Sequence, residues 1–253
     1  MDLQQAVILT AAAFIAGAIN AVAGGGSLIS FPGLLLAGYG AKVSNVTNTV
    51  AIWPGTVGGS LAYRRELAGQ GSNIMMIAVP MVAGGLAGSI ILLSTPESAF
   101  EAIVPFLVFG ACAILAFQDR LVRLSAHRVL TPDGKPRVRL VQSGVFIISI
   151  YGGYFGAGLG ILTLALFGVL LPDHIQRSNA LKGLLALVVN GVSAVYFAIF
   201  GEVVWAAAAL MAVSALTGGY LGVSVARRLP RDRLRMVVIG YGLIAGFVLL
   251  IRG

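Results

Sequence analysis

Ile19-Asn20-Ala21-Val22-Ala23-Gly24-Gly25-Gly26-Ser27-Leu28-Ile29-Ser30-Phe31-Pro32 interrupts a long apolar run with three consecutive glycines. Gly152-Gly153-Tyr154-Phe155-Gly156-Ala157-Gly158-Leu159-Gly160 does the same in the second half of the chain. The two breaks share a register. Gly24 and Gly158 are 134 residues apart, as are Gly26 and Gly160, Leu28 and Leu162, and Leu36 and Leu170. The same offset joins Ser44-Asn45 to Ser178-Asn179 and holds, without a gap, at Ala78 and Ala212, Gly84-Gly85 and Gly218-Gly219, Gly88 and Gly222, and Pro96 and Pro230. Glycine matches alone carry little weight in a chain with 34 glycines; asparagine and proline matches in the same register point to an internal repeat.

Outside the breaks the chain is apolar. Of 253 residues, 58% are hydrophobic and 10% charged, against roughly 25% charged in a soluble domain. A soluble protein of this composition would expose large sticky patches, whereas a bilayer solvates them. Ten apolar runs are marked at about 6–23, 27–39, 45–63, 74–95, 99–117, 141–157, 159–172, 179–200, 203–226 and 236–251. Most reach the roughly 20 residues a spanning helix needs; the second and seventh, each directly after a glycine break, do not. Met1 to Gln5 lacks a basic signal-peptide region, so the first run is expected to stay as a membrane helix.

The net charge of +8 is collected in short connections: Arg64 and Arg65; Arg120, Arg123, Arg128, Lys135, Arg137 and Arg139; and Arg227, Arg228, Arg231, Arg233 and Arg235. This is the pattern of cytoplasmic loops rather than of a nucleic-acid surface, which would interleave aromatics with a basic stripe. With all three clusters in the cytoplasm, the two halves enter the membrane upside down relative to each other and both termini lie outside. The expected fold is all-α: a polytopic transmembrane helix bundle of two inverted repeats with glycine-broken or re-entrant helices. Residues 1–118 form the first membrane repeat, 119–140 a basic cytoplasmic loop and 141–253 the second repeat.

Inverted repeats with broken helices place a solute site near the midplane, where freed backbone N–H groups and helix ends meet. Broken backbone is tolerated at that depth only where protein or a water-filled cavity satisfies it. The candidate substrate-binding residues are therefore Asn20, Gly24, Gly25, Gly26, Ser27, Asn45 and Asn48 in the first half. In the second they are Tyr154, Gly156, Gly158, Gly160, Asn179, Lys182 and Asn190. For each polar residue alone, helix–helix hydrogen bonding worth about 1 kcal/mol is an equal explanation. Gly84, Gly85, Gly88, Gly218, Gly219 and Gly222 are read as packing positions. Lys182 stands apart: an ammonium one turn after Ser178-Asn179 and before a long apolar run is costly unless it faces a cavity or snorkels. Its repeat mate is the neutral Asn48. Trp53 with Pro54 is expected to kink the third run and wall the site, and Trp205 to sit in the interfacial belt.

Catalysis is disfavoured. No carboxylate pair lies inside the runs, Asp173 and His174 sit in a connection, and Cys112, His127 and His174 do not make a metal site. Neither a cofactor nor a metal is expected.

The stretch 19–32 resembles the opening motif of the sulfite exporter TauE/SafE family. Thr47-Asn48 resembles the family's Thr-Asn pair, and Gly156-Ala157-Gly158-Leu159-Gly160 and Ser178-Asn179-Ala180-Leu181-Lys182 resemble its second-half motifs. Relatives often carry a Lys soon after the first-half Thr-Asn; here Thr49 and Val50 follow. The resemblance covers nearly the whole chain. It implies a multi-pass inner-membrane transporter of a small anion, a sulfur oxyanion or organosulfonate or other organic anion, working by alternating access. The partners it implies are that anion, the lipid bilayer and a coupling ion, H+ or Na+, with homo-oligomerisation left open and no nucleic acid. An anion channel or a membrane-embedded enzyme is the alternative.

Overall fold

The structure is a computed structural model that describes residues 1–22, 25–62, 64–124, 136–171, 175–226 and 231–252. Gly24, the Asp173-His174 pair, His127, and the basic residues Arg128, Lys135, Arg227 and Arg228 lie outside the described residues.

Twelve α-helices make up the described chain: α1 Leu3–Val22, α2 Ser27–Leu36, α3 Ala41–Ala62, α4 Arg64–Leu67, α5 Gly71–Ser94, α6 Glu97–Ala116, α7 Gln118–Leu124, α8 Val138–Tyr154, α9 Leu159–Leu170, α10 Ile175–Phe200, α11 Trp205–Ala226 and α12 Arg231–Arg252. Ten correspond to the ten apolar runs. The short α4 and α7 are additional and fall in the polar stretches between the apolar runs. Leu3–Asn20, Gly71–Ser94, Glu97–Ala116 and Gln176–Phe200 are each long and apolar enough to cross a membrane. α2 and α9, with 10 and 12 residues, are about 15 and 18 Å long, well short of a bilayer core of roughly 30 Å.

The starts of α3 and α10, of α5 and α11, and of α6 and α12 are each 134 residues apart (175−41, 205−71, 231−97). Packing follows the same correspondence with partners exchanged: α1 packs along α11, and α8 along α5. α3 packs on its own counterpart α10, and α6 on its counterpart α12. Both self-pairs are antiparallel. Val46 lies beside Gly201, the Trp53 indole donates to the Leu187 carbonyl at 3.2 Å, and the Ser60 hydroxyl donates to the Gly183 carbonyl at 2.9 Å. Trp53 thus bonds the residue that occupies its own place in the second half, 134 positions on.

Glycine sets how closely the exchanged pairs approach. A Cβ on Gly88 of α5 would lie 2.1 Å from the Ile150 carbonyl oxygen, and one on Gly218 of α11 2.0 Å from that of Phe14. No side chain fits there, so backbones meet directly, as lipid-phase helices do when apolar tails offer no hydrophobic drive to associate. The opposite faces are apolar and outward: Met75, Val79, Val82, Leu86 and Ile90 of α5 are exposed, Val79 by 74%. At helical spacing this stripe suits lipid, not water.

The described side chains also share ends. Lys42 Nζ, at the start of α3, donates to the Leu93 and Thr95 carbonyls at 2.9 and 2.6 Å, and the Lys42 N–H donates to Glu97 Oε1 at 3.1 Å. At the other end Gln70 Nε2 donates to the Arg177 carbonyl at 3.2 Å, and Arg235 pairs with Asp119 at 2.6 Å.

Candidate functional site

The breaks are built from local backbone rules. α8 ends at Tyr154, after which the N–H groups of Phe155 and Gly156 both return to the Tyr151 carbonyl. Gly156 then takes φ +78 and Gly158 φ +79, left-handed conformations that glycine adopts at no steric cost. The Tyr151 hydroxyl, 2.5 Å from the Ala157 carbonyl oxygen, satisfies an acceptor that the turn frees. In the first half Gly25 has φ +86, and Gly26 opens α2 with ordinary right-handed angles. The Gly26 N–H, an orphan donor at a helix start, donates to Asn20 Oδ1 at 2.7 Å. A Cβ on Gly26 would lie 2.3 Å from the Ala16 carbonyl oxygen, so α2 folds back tightly on α1. Gly33 against Ala12, and Gln5 Nε2 donating to the Ala37 carbonyl, carry that hairpin to the start of α1.

Both breaks rest on the same element. A Cβ on Gly25 would meet Leu115 of α6 at 3.6 Å, and one on Gly158 would meet the adjacent Ile114 at 3.4 Å. α6 and α12 cross where Phe109 faces Gly246 and Cys112 faces Gly242. The contacts with the breaks fall two to six residues beyond that crossing, within about 9 Å at 1.5 Å per residue. Between the breaks the contact is apolar: Phe31 and Phe155 stack edge to face with centroids 5.5 Å apart, within the cluster that holds Leu28, Leu115 and Ala157. The sequence reading missed Ile114, Leu115, Phe31 and Phe155 as elements of the site. They are ordinary apolar residues in apolar runs, and no signal in composition or period separates them from core.

The polar candidates divide into groups. Asn45 is buried, and its Nδ2 donates to the Tyr154 carbonyl at 2.8 Å, so it tethers α3 to the second break. Asn48, one turn on, is 4% exposed and its Oδ1 has no hydrogen-bond partner. Thr47 points elsewhere and accepts from the Val204 N–H at 3.1 Å. Asn190 Nδ2 donates to the Ala186 carbonyl, and its Oδ1 lies 3.8 Å from where a Gly156 Cβ would be. Trp53 lies with Leu187 and Gly191 in an apolar groove of α3, α5 and α10. Ser27 is half-buried.

Lys182, on α10, is half-buried. Its stem packs on the start of α9, with Cδ 3.5 Å from the Cβ position of Gly160. Nζ donates to Asn179 Oδ1 at 3.0 Å, and among the described residues no carboxylate lies within ion-pair distance of it. The Gly160 N–H, in the first turn of α9, has no protein acceptor among the described residues. An ammonium with two donors to spare thus stands beside the positive end of a broken helix. Among the described residues no group of three or more metal-ligating side chains occurs.

Known proteins are similar to the chain over most of its length. The family model for the sulfite exporter TauE/SafE matches residues 9–249. A probable membrane transporter protein of Haemophilus influenzae is 25% identical over 92% of this chain and 89% of its own length. The probable membrane transporter protein ORF9 of a Sinorhizobium species is 29% identical over 85% and 80%. The probable membrane transporter protein YfcA of Escherichia coli K12 is 26% identical over 85% and 78%. No solved structure matches. A match spanning 9–249, carried by a helical bundle with lipid-suited faces, places the chain in the sulfite exporter TauE/SafE family: it is a multi-pass membrane transporter and not an enzyme.

Proposed function

We propose that the chain carries a small anion, a sulfur oxyanion or an organosulfonate, across the inner membrane by alternating access between two inverted repeats. The repeats are residues 1–118 and 141–253, joined by the basic segment 119–140 on the cytoplasmic side. The partner exchange of α1 with α11 and α8 with α5, and the Trp53–Leu187 bond between equivalent residues, support a two-fold relation between the halves. The grouping of Gln70 with Arg177 at one end and of Lys42 with Thr95 at the other agrees with the orientation read from the basic clusters.

The observation that carries the substrate reading is Lys182. Among the described residues its ammonium has a neutral amide as partner and no carboxylate, and its stem adjoins Gly160, whose N–H has no protein acceptor among those residues, at the start of α9. A charge held in a bundle without a counter-ion is expensive unless a ligand supplies one. Asn179, Gly158 and Gly160 complete the anion-facing group. Asn45, bonded to the Tyr154 carbonyl, holds the second break in place, and Asn190 lies beside Gly156; Asn20, bonded to the Gly26 N–H, holds the first break between Gly25 and Ser27. Asn48 offers a free acceptor on the first half.

The test is reconstitution in liposomes with a panel of sulfite, sulfate, organosulfonates, carboxylates and chloride, with and without proton or sodium gradients. Gradient-stimulated, saturable uptake of a sulfur anion, lost in Lys182→Gln and partly kept in Lys182→Arg, is the expected outcome. Uptake of that anion with unchanged rate and affinity in Lys182→Gln overturns the site. Flux that does not saturate and ignores both gradients favours a channel.

A further inference from the structure

We infer that the site selects anions bearing one negative charge and rejects dianions. Its ligand is an oxyanion head on an otherwise neutral molecule, a sulfonate or bisulfite rather than sulfate or fully deprotonated sulfite. This rests on reading Lys182 as an anion ligand and goes beyond it in fixing the charge.

Among the described residues none of Asp, Glu, Lys or Arg is fully buried. Lys42 sits at the second position of α3 and is used by the Leu93 and Thr95 carbonyls. Arg177 sits at the third position of α10, with Nη2 donating to the Gly69 carbonyl, and Arg235 is paired with Asp119. Lys182, eight positions into α10, is the cation held deeper. Among the described residues its neighbours add dipoles: the Asn179 amide and the Gly160 N–H. Asn48, at the equivalent place in the first half, brings no second charge.

One ammonium and one negative charge cancel. A second negative charge would find no further cation beside Lys182 among the described residues, and nothing there would offset its lost hydration. Dipoles stabilise part of a charge at a helix start but do not replace a counter-ion. Coulomb energies at a partly buried site put the resulting discrimination on the order of 100-fold in apparent affinity.

The experiment measures methanesulfonate and sulfate as competitors of labelled substrate on the full chain in liposomes, and sulfite across a pH series. Sulfite gains its second charge as pH rises through neutrality, whereas methanesulfonate keeps one charge throughout. The expected result is roughly 100-fold tighter apparent affinity for methanesulfonate than for sulfate. Apparent sulfite affinity should fall as pH rises while that of methanesulfonate stays flat. Lys182→Gln and Lys182→Met, checked for folding by size exclusion, should lose methanesulfonate binding. Sulfate competing as well as methanesulfonate, with both lost in the variants, overturns the charge rule and leaves the Lys182 site standing. Methanesulfonate binding unchanged in both variants, or absent from the wild type, overturns the site itself.

Discussion

Gly26→Ala separates the two reasons a glycine can be required at a helix break. Gly26 has φ −58 and ψ −26, angles any residue adopts, so alanine costs no backbone strain there. Its Cβ, however, would sit 2.3 Å from the Ala16 carbonyl oxygen, where contacts do not fall below 3.0 Å. The α1–α2 hairpin must part by at least ~0.7 Å (3.0−2.3), and the atom in the way is backbone. Overpacking of this kind costs roughly 1–3 kcal/mol. The same displacement stretches the 2.7 Å bond from the Gly26 N–H to Asn20 Oδ1, worth about 1 kcal/mol more. The expected total is about 2–4 kcal/mol. Gly158→Ala reverses the balance: φ +79 costs alanine about 1–2 kcal/mol, and the nearest contact, Ile114 Cγ2 at 3.4 Å, is ordinary packing. Equilibrium unfolding of both variants in mixed micelles, beside liposome uptake, tests the comparison. Gly26→Ala should be the less stable of the two and inactive. If it unfolds with the wild type, or later than Gly158→Ala, α2 is not sealed against α1 by backbone contact and the steric argument fails.

Asn48→Leu removes a buried acceptor with no partner, which costs about 1–3 kcal/mol to leave unsatisfied. The variant should be at least as stable as the wild type yet transport more slowly, and a stability loss with full transport would show that Asn48 is a packing residue. Tyr151→Phe leaves the Ala157 carbonyl without its donor at the second break; a loss of about 1 kcal/mol in unfolding is expected, and no loss would mean that water replaces the hydroxyl. In a background with Cys112 replaced, single cysteines at positions 71 and 119 should react with an impermeant reagent from one side of the membrane and a cysteine at position 95 from the other. Positions 71 and 119 reacting from opposite sides would refute the orientation.

Much of the fold was legible in the chain because bilayer thickness and backbone hydrogen bonding leave few choices. Ten apolar runs became ten helices, and the register linking Gly24 with Gly158 reappears in helix starts that differ by 134. The errors are local. α4 and α7 form in polar stretches, where helix propensity and end contacts act without hydrophobic drive. The candidate site was only partly legible. Asn179 and Lys182 share one helix face at i and i+3, a spacing that sequence alone gives, and they are hydrogen-bonded. Thr47 and Asn48 are neighbours in the motif, yet one turns to Val204 and the other keeps an unpartnered oxygen, because successive helical residues point about 100° apart.

The sequence by itself determined what short-range physics controls: a lipid-solvated helical chain with a 134-residue internal register, interrupted by two glycine-rich breaks and with its positive charge gathered in short connections. Only the tertiary structure decided which helices meet. It set α1 against α11 and α8 against α5, brought Gly25 and Gly158 onto adjacent residues of α6, and left Lys182 beside Gly160 with no carboxylate partner among the described residues. Such pairings depend on where close backbone approach is sterically open, as at Gly88 and Gly218. That is a property of two surfaces together, and neither segment's sequence carries it alone.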